Sequence, residues 1–295
     1  MKNTIVVTGG AGFVGSNLVI FLLRNTKQNI ISLDNYSSGL KKNQIKHKRV
    51  KYIKGNTKNI SLILNSKIRK ISVIFHFGEF SRIYQSFLNM DKCIDSNTVG
   101  SHAVFNFCLK NKIKLIYSAT SASLGNKGRD KDLSPYAFTK SINLELLENL
   151  KKWFKMKYEI IYFYNVYGLN QISKGKMATV IGIFEEAYNK KKPLTVVKPG
   201  TQSRKFTHIN DTVKVCFDAW KKNRCRHYSI SSKKDYTILE VAKLFGSKVK
   251  MLSPRSGERY ASALTNMNLS NKVYKIFGRI SLKEYVEKFK KNLKN

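Results

Sequence analysis

The sequence predicts an α/β fold, a doubly wound parallel sheet with a smaller mixed α/β lobe toward the C-terminus, and three observations predict it. Short β-branched runs alternate with helical patterns through the first 168 residues, the arrangement of a parallel sheet covered by helices on both faces. A glycine-rich turn, Thr8-Gly9-Gly10-Ala11-Gly12-Phe13-Val14-Gly15, joins the first run to the first helical pattern. Asp34 closes the second run, nineteen residues after Gly15.

The elements follow in order. Residues 5–7 form the first run and 13–25 the first helical pattern, with further segments at 30–33, 50–53, 60–68 and 73–77. A helix over 91–110, a strand at 115–117, a helix over 135–154 and a strand at 160–164 continue the rhythm. After Gly168 it loosens: a loop at 171–176 leads to a helix at 178–190, strands at 194–197 and 206–209, and a helix at 211–222. The Lys-rich tail, 236–295, carries helical patches at 239–245 and 282–289. This order predicts a dinucleotide-binding domain over 1–168, to which 204–232 returns, and a substrate lobe made mainly of 169–295. With no Pro/Gly linker between them, the lobe is expected to pack directly on the domain.

Composition narrows the function. At 42% hydrophobic and 25% charged, the 295 residues are apolar enough to build a core, which excludes a disordered chain. Fifty-five basic against 18 acidic residues give a net charge of +37, yet 44 of the 55 are Lys, spread along the whole chain. Lys, Asn and Ile, all with A/T-rich codons, fill 96 positions. Base-reading surfaces favour the planar Arg fork, so no dedicated nucleic-acid partner is expected, while the field still attracts a small acidic substrate. Cysteines 93, 108, 216 and 225 contain no C-x-x-C pair, which predicts neither a metal site nor disulfides and fits a reducing cytosol. No run approaches the ~20 apolar residues of a membrane span, and residues 1–10 lack a signal peptide's apolar stretch. A cytoplasmic protein with no membrane partner is expected.

Two groups of residues carry chemistry. A glycine turn between strand and helix lets backbone N–H groups approach a pyrophosphate at a helix N-terminus, and a carboxylate at Asp34 suits ribose hydroxyls, the Rossmann-type fingerprint. The carboxylate favours NAD; Lys41 and Lys42 just beyond keep NADP open. Tyr136 and Lys140 stand four apart, on one face of a helix that Ser134 caps and Pro135 opens. A neighbouring ammonium and a helix N-terminus both stabilise a phenolate, so Tyr136 is a candidate acid/base. Upstream, Ser118-Ala119-Thr120-Ser121 places hydroxyls at the carboxyl end of a parallel strand, where such sheets bind ligands.

Taken together these motifs resemble the extended short-chain dehydrogenase/reductase family, the nucleotide-sugar epimerases and dehydratases. The matching segments are TGGAGFVGSN from Thr8, LDNYSSG from Leu33, HFG from His76, NTVGS from Asn97, SATSASLG from Ser118 and SPYAFTK from Ser134, then NVYG from Asn165, RKFTHIND from Arg204 and RSGE from Arg255. The resemblance implies that Gly9, Gly12, Phe13, Val14, Gly15, Asp34, Asn35, Asn56, Phe77, Gly78 and Asn97 hold the cofactor. It implies that Thr120 binds the reacting hydroxyl, Tyr136 is the acid/base and Lys140 holds the nicotinamide ribose. Ser121 and Asn165 would line the sugar, with Arg204 and Arg255 on the diphosphate. A nucleotide-diphosphate sugar is the implied ligand, and a homo-oligomer built through the helices at 91–110 and 135–154 the implied assembly, while the apolar stripes of those helices, such as Val104, Phe105, Leu144 and Leu147, read equally as ordinary core.

The departures sharpen this. Dehydrating members carry an Asp-Glu pair after the Thr, where this chain has Ser121 and Ala122, so epimerisation is expected instead. Asn56 replaces the usual acidic contact to adenine. Glu79 and Arg82 stand in a loop that is commonly small and apolar; they read either as a buried ion pair with each other or, for Glu79, as a substrate contact. Lys174 matches a Lys that serves as a second base in ADP-glycero-manno-heptose 6-epimerases, whereas UDP-hexose 4-epimerases use the Tyr alone. A reductase of the same fold, and a catalytically idle nucleotide-sugar or RNA-binding protein, are the alternatives.

Overall fold

A computed structural model describes residues 3–123, 131–254 and 273–293. Eight strands form one sheet, all paired in parallel: β1 (Thr4–Thr8), β2 (Asn29–Asp34), β3 (Val50–Lys54), β4 (Ile71–His76), β5 (Lys114–Thr120), β6 (Tyr158–Phe163), β10 (His227–Ser231) and β13 (Val273–Phe277). Their order, β13-β10-β6-β5-β4-β1-β2-β3, reverses direction at β1, so a crevice opens between the carboxyl ends of β1 and β4. The last strand, β13, comes from the tail that the sequence assigns to the second lobe.

Side chains alternate across this sheet. Val6, Ile74, Leu115 and Ile160 face one core, covered by α2 (Ile60–Leu64), α5 (Ser101–Lys110) and α6 (Pro135–Phe154). Ile5, Val7, Phe75 and Ile161 face the other, against α1 (Phe13–Asn25) and α8 (Ile209–Lys222). Burial of both faces explains the near-continuous apolar runs. The stripe read at Val104, Phe105 and Leu147 belongs to the first core and is fully buried, with Leu144 packed against it.

The helix expected over 91–110 is broken. Between α4 (Met90–Ile94) and α5 the chain widens into a π-helical segment, Asp95–Gly100. Asn143 of α6 donates to the Asn97 carbonyl at 2.6 Å, and a side chain inserted into the helical ladder in this way is a standard cause of such a bulge. A short helix, α3 (Ile83–Leu88), precedes it.

A smaller lobe sits beside the carboxyl ends. It combines β7 (Asn165–Tyr167), β9 (Ser203–His208) and β11 (Asp235–Thr237) in one sheet and β8 (Leu194–Val197) with β12 (Val249–Leu252) in another. Around Phe184, Leu194, Val196, Phe206, Val241, Phe245 and Val286 they pack with α7 (Val180–Asn189), α9 (Ile238–Phe245) and α10 (Leu282–Asn292).

Candidate active site

A cleft of about 500 Å³ runs from the glycine turn, over the carboxyl ends of β4, β5 and β6, to α7 and β9 of the small lobe. Its first half is built by the backbone. Gly9 adopts φ +67°, and a Cβ there would lie 2.7 Å from the Phe77 carbonyl oxygen; a Cβ on Gly15 would lie 2.1 Å from that of Gly9. Only glycine permits this close approach of strand, turn and helix. Gly12, Phe13, Val14 and Gly15 line the cleft, and α1 starts at Gly12 without any side-chain cap, whereas Ser134, Thr179, Thr237 and Ser281 cap α6, α7, α9 and α10. An uncapped helix start aimed into a cleft suits a phosphate.

Asp34, 6% exposed, accepts the Ala11 N–H at 2.9 Å on Oδ2 and the Tyr36 N–H at 2.7 Å on Oδ1. Burial pushes its carboxyl above the ordinary range, and the backbone donors of Tyr36, Ala11 and Gly12 pull against that. Each oxygen retains acceptor capacity for a ribose hydroxyl. This donor-rich turn followed by a fixed acceptor fits NAD. Asn35, Phe77 and Gly78 line the same half. Lys41 and Lys42, which kept a 2′-phosphate open, are exposed on a 3₁₀ turn and do not line the cleft.

Two residues expected on the cofactor do other work. Asn56 caps its own turn through the Lys58 N–H at 3.0 Å, leaving Gly55 and Thr57 on the cleft wall. Asn97, fully buried, grips the Phe80 backbone at N (2.6 Å) and O (3.0 Å). It holds the loop after β4 rather than lining the cleft, a consequence of lying in the π segment.

The second half gathers side chains. Ser134 Oγ accepts the Ala137 N–H at 3.1 Å and Pro135 opens α6, which puts Tyr136 in its first turn. Tyr136 and Thr120, the last residue of β5, both line the cleft, with Ser121, Asn165 and Arg204. Burial pushes this phenol up to about 12; the Thr120 hydroxyl lowers it, the Glu79 charge raises it and the Arg82 guanidinium lowers it.

Lys140, one turn on, is not free. Its ammonium forms an ion pair with Glu79 and hydrogen bonds to the Ser118 carbonyl and, at 3.3 Å, to the Tyr117 hydroxyl. Burial draws the Lys140 ammonium down and the Glu79 charge pushes it up. The other Glu79 oxygen accepts from Ser101 at 2.7 Å, Tyr117 at 3.0 Å and Asn143 at 3.3 Å. Glu79 lines the cleft, as expected of a substrate contact, but its carboxylate, with the side chain 2% exposed, already accepts from four internal donors. Its pairing with Arg82 is corrected. Arg82 turns the other way and donates from Nε and Nη2 to the Met177 carbonyl at 3.0 and 2.6 Å.

Lys174, the expected second base, also lies elsewhere. Its side chain is 71% exposed and pairs with Glu186 at 3.3 Å, beyond the cleft lining. The loop that carries it turns back through Thr179, whose N–H bonds the Ile172 carbonyl at 2.8 Å, so residues 172 and 178–181 face the cleft while the tip at 174 points to solvent. Arg255 lies outside the described residues. Sequence reading missed Tyr117, Ser101 and Asn143 as partners of Glu79, and Thr195, Val197 and Gln202 of the lobe wall. The acidic residue in a normally apolar loop was the one available signal for the former.

The geometry joins a dinucleotide cradle to a phenol that can pass a proton to or from a substrate hydroxyl. Among the described residues no cluster suited to a metal ion occurs, and no helix is long and apolar enough to cross a membrane. Residues 5–231 match the NAD dependent epimerase/dehydratase family. The chain is 32% identical over 227 residues to the uncharacterized UDP-glucose epimerase YtcB of Bacillus subtilis, covering 71% of this chain and 70% of that protein. It is 30% identical over 233 residues to the ADP-L-glycero-D-manno-heptose-6-epimerase of Brachyspira hyodysenteriae, covering 72% and 70%. The UDP-glucose 4-epimerase structure of Thermotoga maritima superposes with a TM-score of 0.84 at 22% identity, covering 98% of this chain and 99% of that one.

Proposed function

This chain belongs to the NAD dependent epimerase/dehydratase family, and on that premise we propose that it inverts one carbon of a nucleoside-diphosphate sugar with Tyr136 as its single acid/base. The observation that carries this reading is that Thr120 and Tyr136 line one cleft together with the glycine cradle, with no second base in the cleft from Lys174. Ser121 and Ala122, in place of an acidic pair, leave no acid and base for expelling water and favour epimerisation over dehydration. The one-base arrangement favours the 4-epimerase type over the heptose 6-epimerase type.

NAD, held by the glycine turn and Asp34, supplies reversible acceptance of hydride from a sugar carbon. The residues of the chain do the rest. Tyr136 takes the hydroxyl proton of the carbon being oxidised and later returns it, while Thr120 orients that hydroxyl and its developing charge. With one base the sugar must turn over within the cleft, and the wall of Asn165, Arg204 and residues 178–183 offers the room and the diphosphate anchor for that turn. A homo-oligomer is part of the proposal: Leu88, Met90 and Val99 on α3, α4 and the π segment, with Phe138 on α6, are about half exposed on one side of the domain.

The test incubates the NAD⁺-loaded protein with UDP-, ADP-, dTDP- and GDP-sugars and resolves products by NMR. An inverted sugar without net change at the nicotinamide absorbance band is expected; a dehydrated or reduced product would overturn the reading. Tyr136→Phe should lower turnover at least about a hundredfold and leave NAD⁺ affinity within about twofold.

A further inference from the structure

Basic residues spread along the sequence gather at one end of the large sheet. Six segments run into the amino ends of β2, β3, β4, β5, β6 and β10: residues 26–28, 47–49, 65–70, 111–113, 155–157 and 223–226. Of their 22 residues 11 are Lys or Arg and none is Asp or Glu, against 55 basic residues in 295 for the whole chain. The turns that leave the carboxyl ends of β1 to β4, residues 9–12, 35–40, 55–56 and 77–82, hold one basic residue, Arg82, and one acidic, Glu79. Codon drift scatters lysine without regard to the two ends of a sheet, so it does not account for this asymmetry. Backbone hydrogen bonds knit the basic segments into one surface: the N–H groups of Asn3, Ile30, Leu115 and Ile160 donate to the carbonyls of Lys70, Arg49, Lys157 and Arg226 at 3.0, 2.7, 3.2 and 3.0 Å. Nine of the 11 side chains are exposed, and among the described residues none of the 11 forms an ion pair.

The same end carries two exposed aromatic rings. Trp153 and Phe154 close α6 just before residues 155–157, and they are 63% and 59% exposed. Lys151, Lys152, Lys155 and Lys157 flank them. We propose that this basic end of the sheet docks on an anionic lipid bilayer, with Trp153 and Phe154 entering the headgroup layer and the surrounding Lys and Arg side chains meeting lipid phosphates. Apolar insertion and electrostatic attraction to anionic lipid add in reversible surface binding. An amphipathic indole favours the membrane–water boundary, and flexible lysine stems let the ammonium groups stay at its polar side. A single-stranded nucleic acid is the poorer match. It calls for aromatic faces that receive successive bases, whereas these two rings stand edge to face, 6.2 Å apart at 81°. Composition alone gives no reason to expect a membrane partner, because the charge is gathered only by the fold. The cleft lies at the opposite end of the strands, roughly 20 Å away, so a docked molecule keeps it open to solution. The inference holds whatever reaction the cleft performs.

The experiment sediments the whole chain with vesicles of phosphatidylcholine alone and of phosphatidylcholine with about 30% phosphatidylglycerol, at about 0.1 M and about 1 M salt. Binding to the anionic vesicles should be at least about tenfold tighter than to the neutral ones at the lower salt and should vanish at the higher. The chain has two tryptophans, and Trp220 is packed against Phe75 and Phe217, so a blue shift of emission on binding reports Trp153. Trp153→Ser/Phe154→Ser should weaken binding to the anionic vesicles at least about tenfold, and Lys70→Gln/Lys112→Gln/Lys157→Gln/Arg224→Gln should do the same. Both variants should keep the parent's urea midpoint and NAD⁺ affinity, since neither touches the core or the cradle. Equal binding to neutral and anionic vesicles, no emission shift, or unchanged vesicle affinity in either variant would overturn the proposal. Tighter binding of polyuridylate than of the anionic vesicles would overturn it in favour of a nucleic acid. A smaller assembly of the Trp153→Ser/Phe154→Ser protein in sedimentation equilibrium would overturn it in favour of a contact between copies of the chain.

Discussion

Asp34 couples cofactor binding to pH in a direction that its surroundings fix. Burial holds its carboxyl above the usual range against three backbone donors, and only the ionised form is acceptor-only toward ribose hydroxyls. NAD⁺ affinity should therefore decline on acidification, setting in at higher pH than an ordinary carboxylate would cause. Asp34→Asn should bind about tenfold more weakly at pH 7, the scale of a lost charge-assisted hydrogen bond, with a flat profile. Calorimetric titration of NAD⁺ at pH 7 and pH 5 checks both statements. At this scale the sequence was readable where a residue's part is set by neighbours in the chain: the glycines, Asp34, and Tyr136 behind the Ser134-Pro135 helix start. It was not readable where the partner is remote in sequence. Glu79 meets Lys140 from 61 positions away, and Asn97 meets Phe80 from 17. No spacing rule encodes such meetings.

Among the elements, α6 does the most to unite site and scaffold. Its first turn presents Tyr136, its second Lys140, and Asn143 behind them bonds the Asn97 carbonyl, Glu79 and the Tyr117 hydroxyl at 2.6, 3.3 and 3.1 Å. This amide is one of the bonds that hold the widened segment at Asp95–Gly100, with those of Asn97 to Phe80 and Thr139, and apolar periodicity alone gives no sign of the segment because the ladder shifts without interrupting the helical pattern. Asn143→Ala should destabilise the protein by about 1–3 kcal/mol, the cost of leaving buried polar groups unpaired, measured as a lower urea midpoint. The loop before α7 gives a contrasting lesson. A motif match selected Lys174 there, yet the turn returning through Thr179 directs residues 178–181 inward and the lysine outward.

For the whole molecule, the buried polar layer beneath the cleft predicts an acid limit. His76 is fully buried between the Thr8 hydroxyl at 2.7 Å and the Ser101 hydroxyl at 2.9 Å. Burial lowers its pKa to about 4, with Lys140 lowering and Glu79 raising it. Between pH 6.5 and about 4 the unfolded chain takes up a proton that the folded one refuses, so stability is full above 6.5 and falls on acidification. The span corresponds to about 3 kcal/mol. Urea midpoints at pH 7 and 4.5 should differ less for His76→Gln than for the parent protein, even though the variant is weaker at both. The sequence by itself determined the parallel sheet, the cradle and the Tyr136 turn, because strand period, glycine geometry and helix capping act over a few residues. Tertiary structure alone decided that β13 returns to the large sheet, that Lys174 stays in solvent and that Lys140 is matched by Glu79. Those outcomes depend on which groups share a low-dielectric interior, and only the folded chain brings the competing partners within reach of one another.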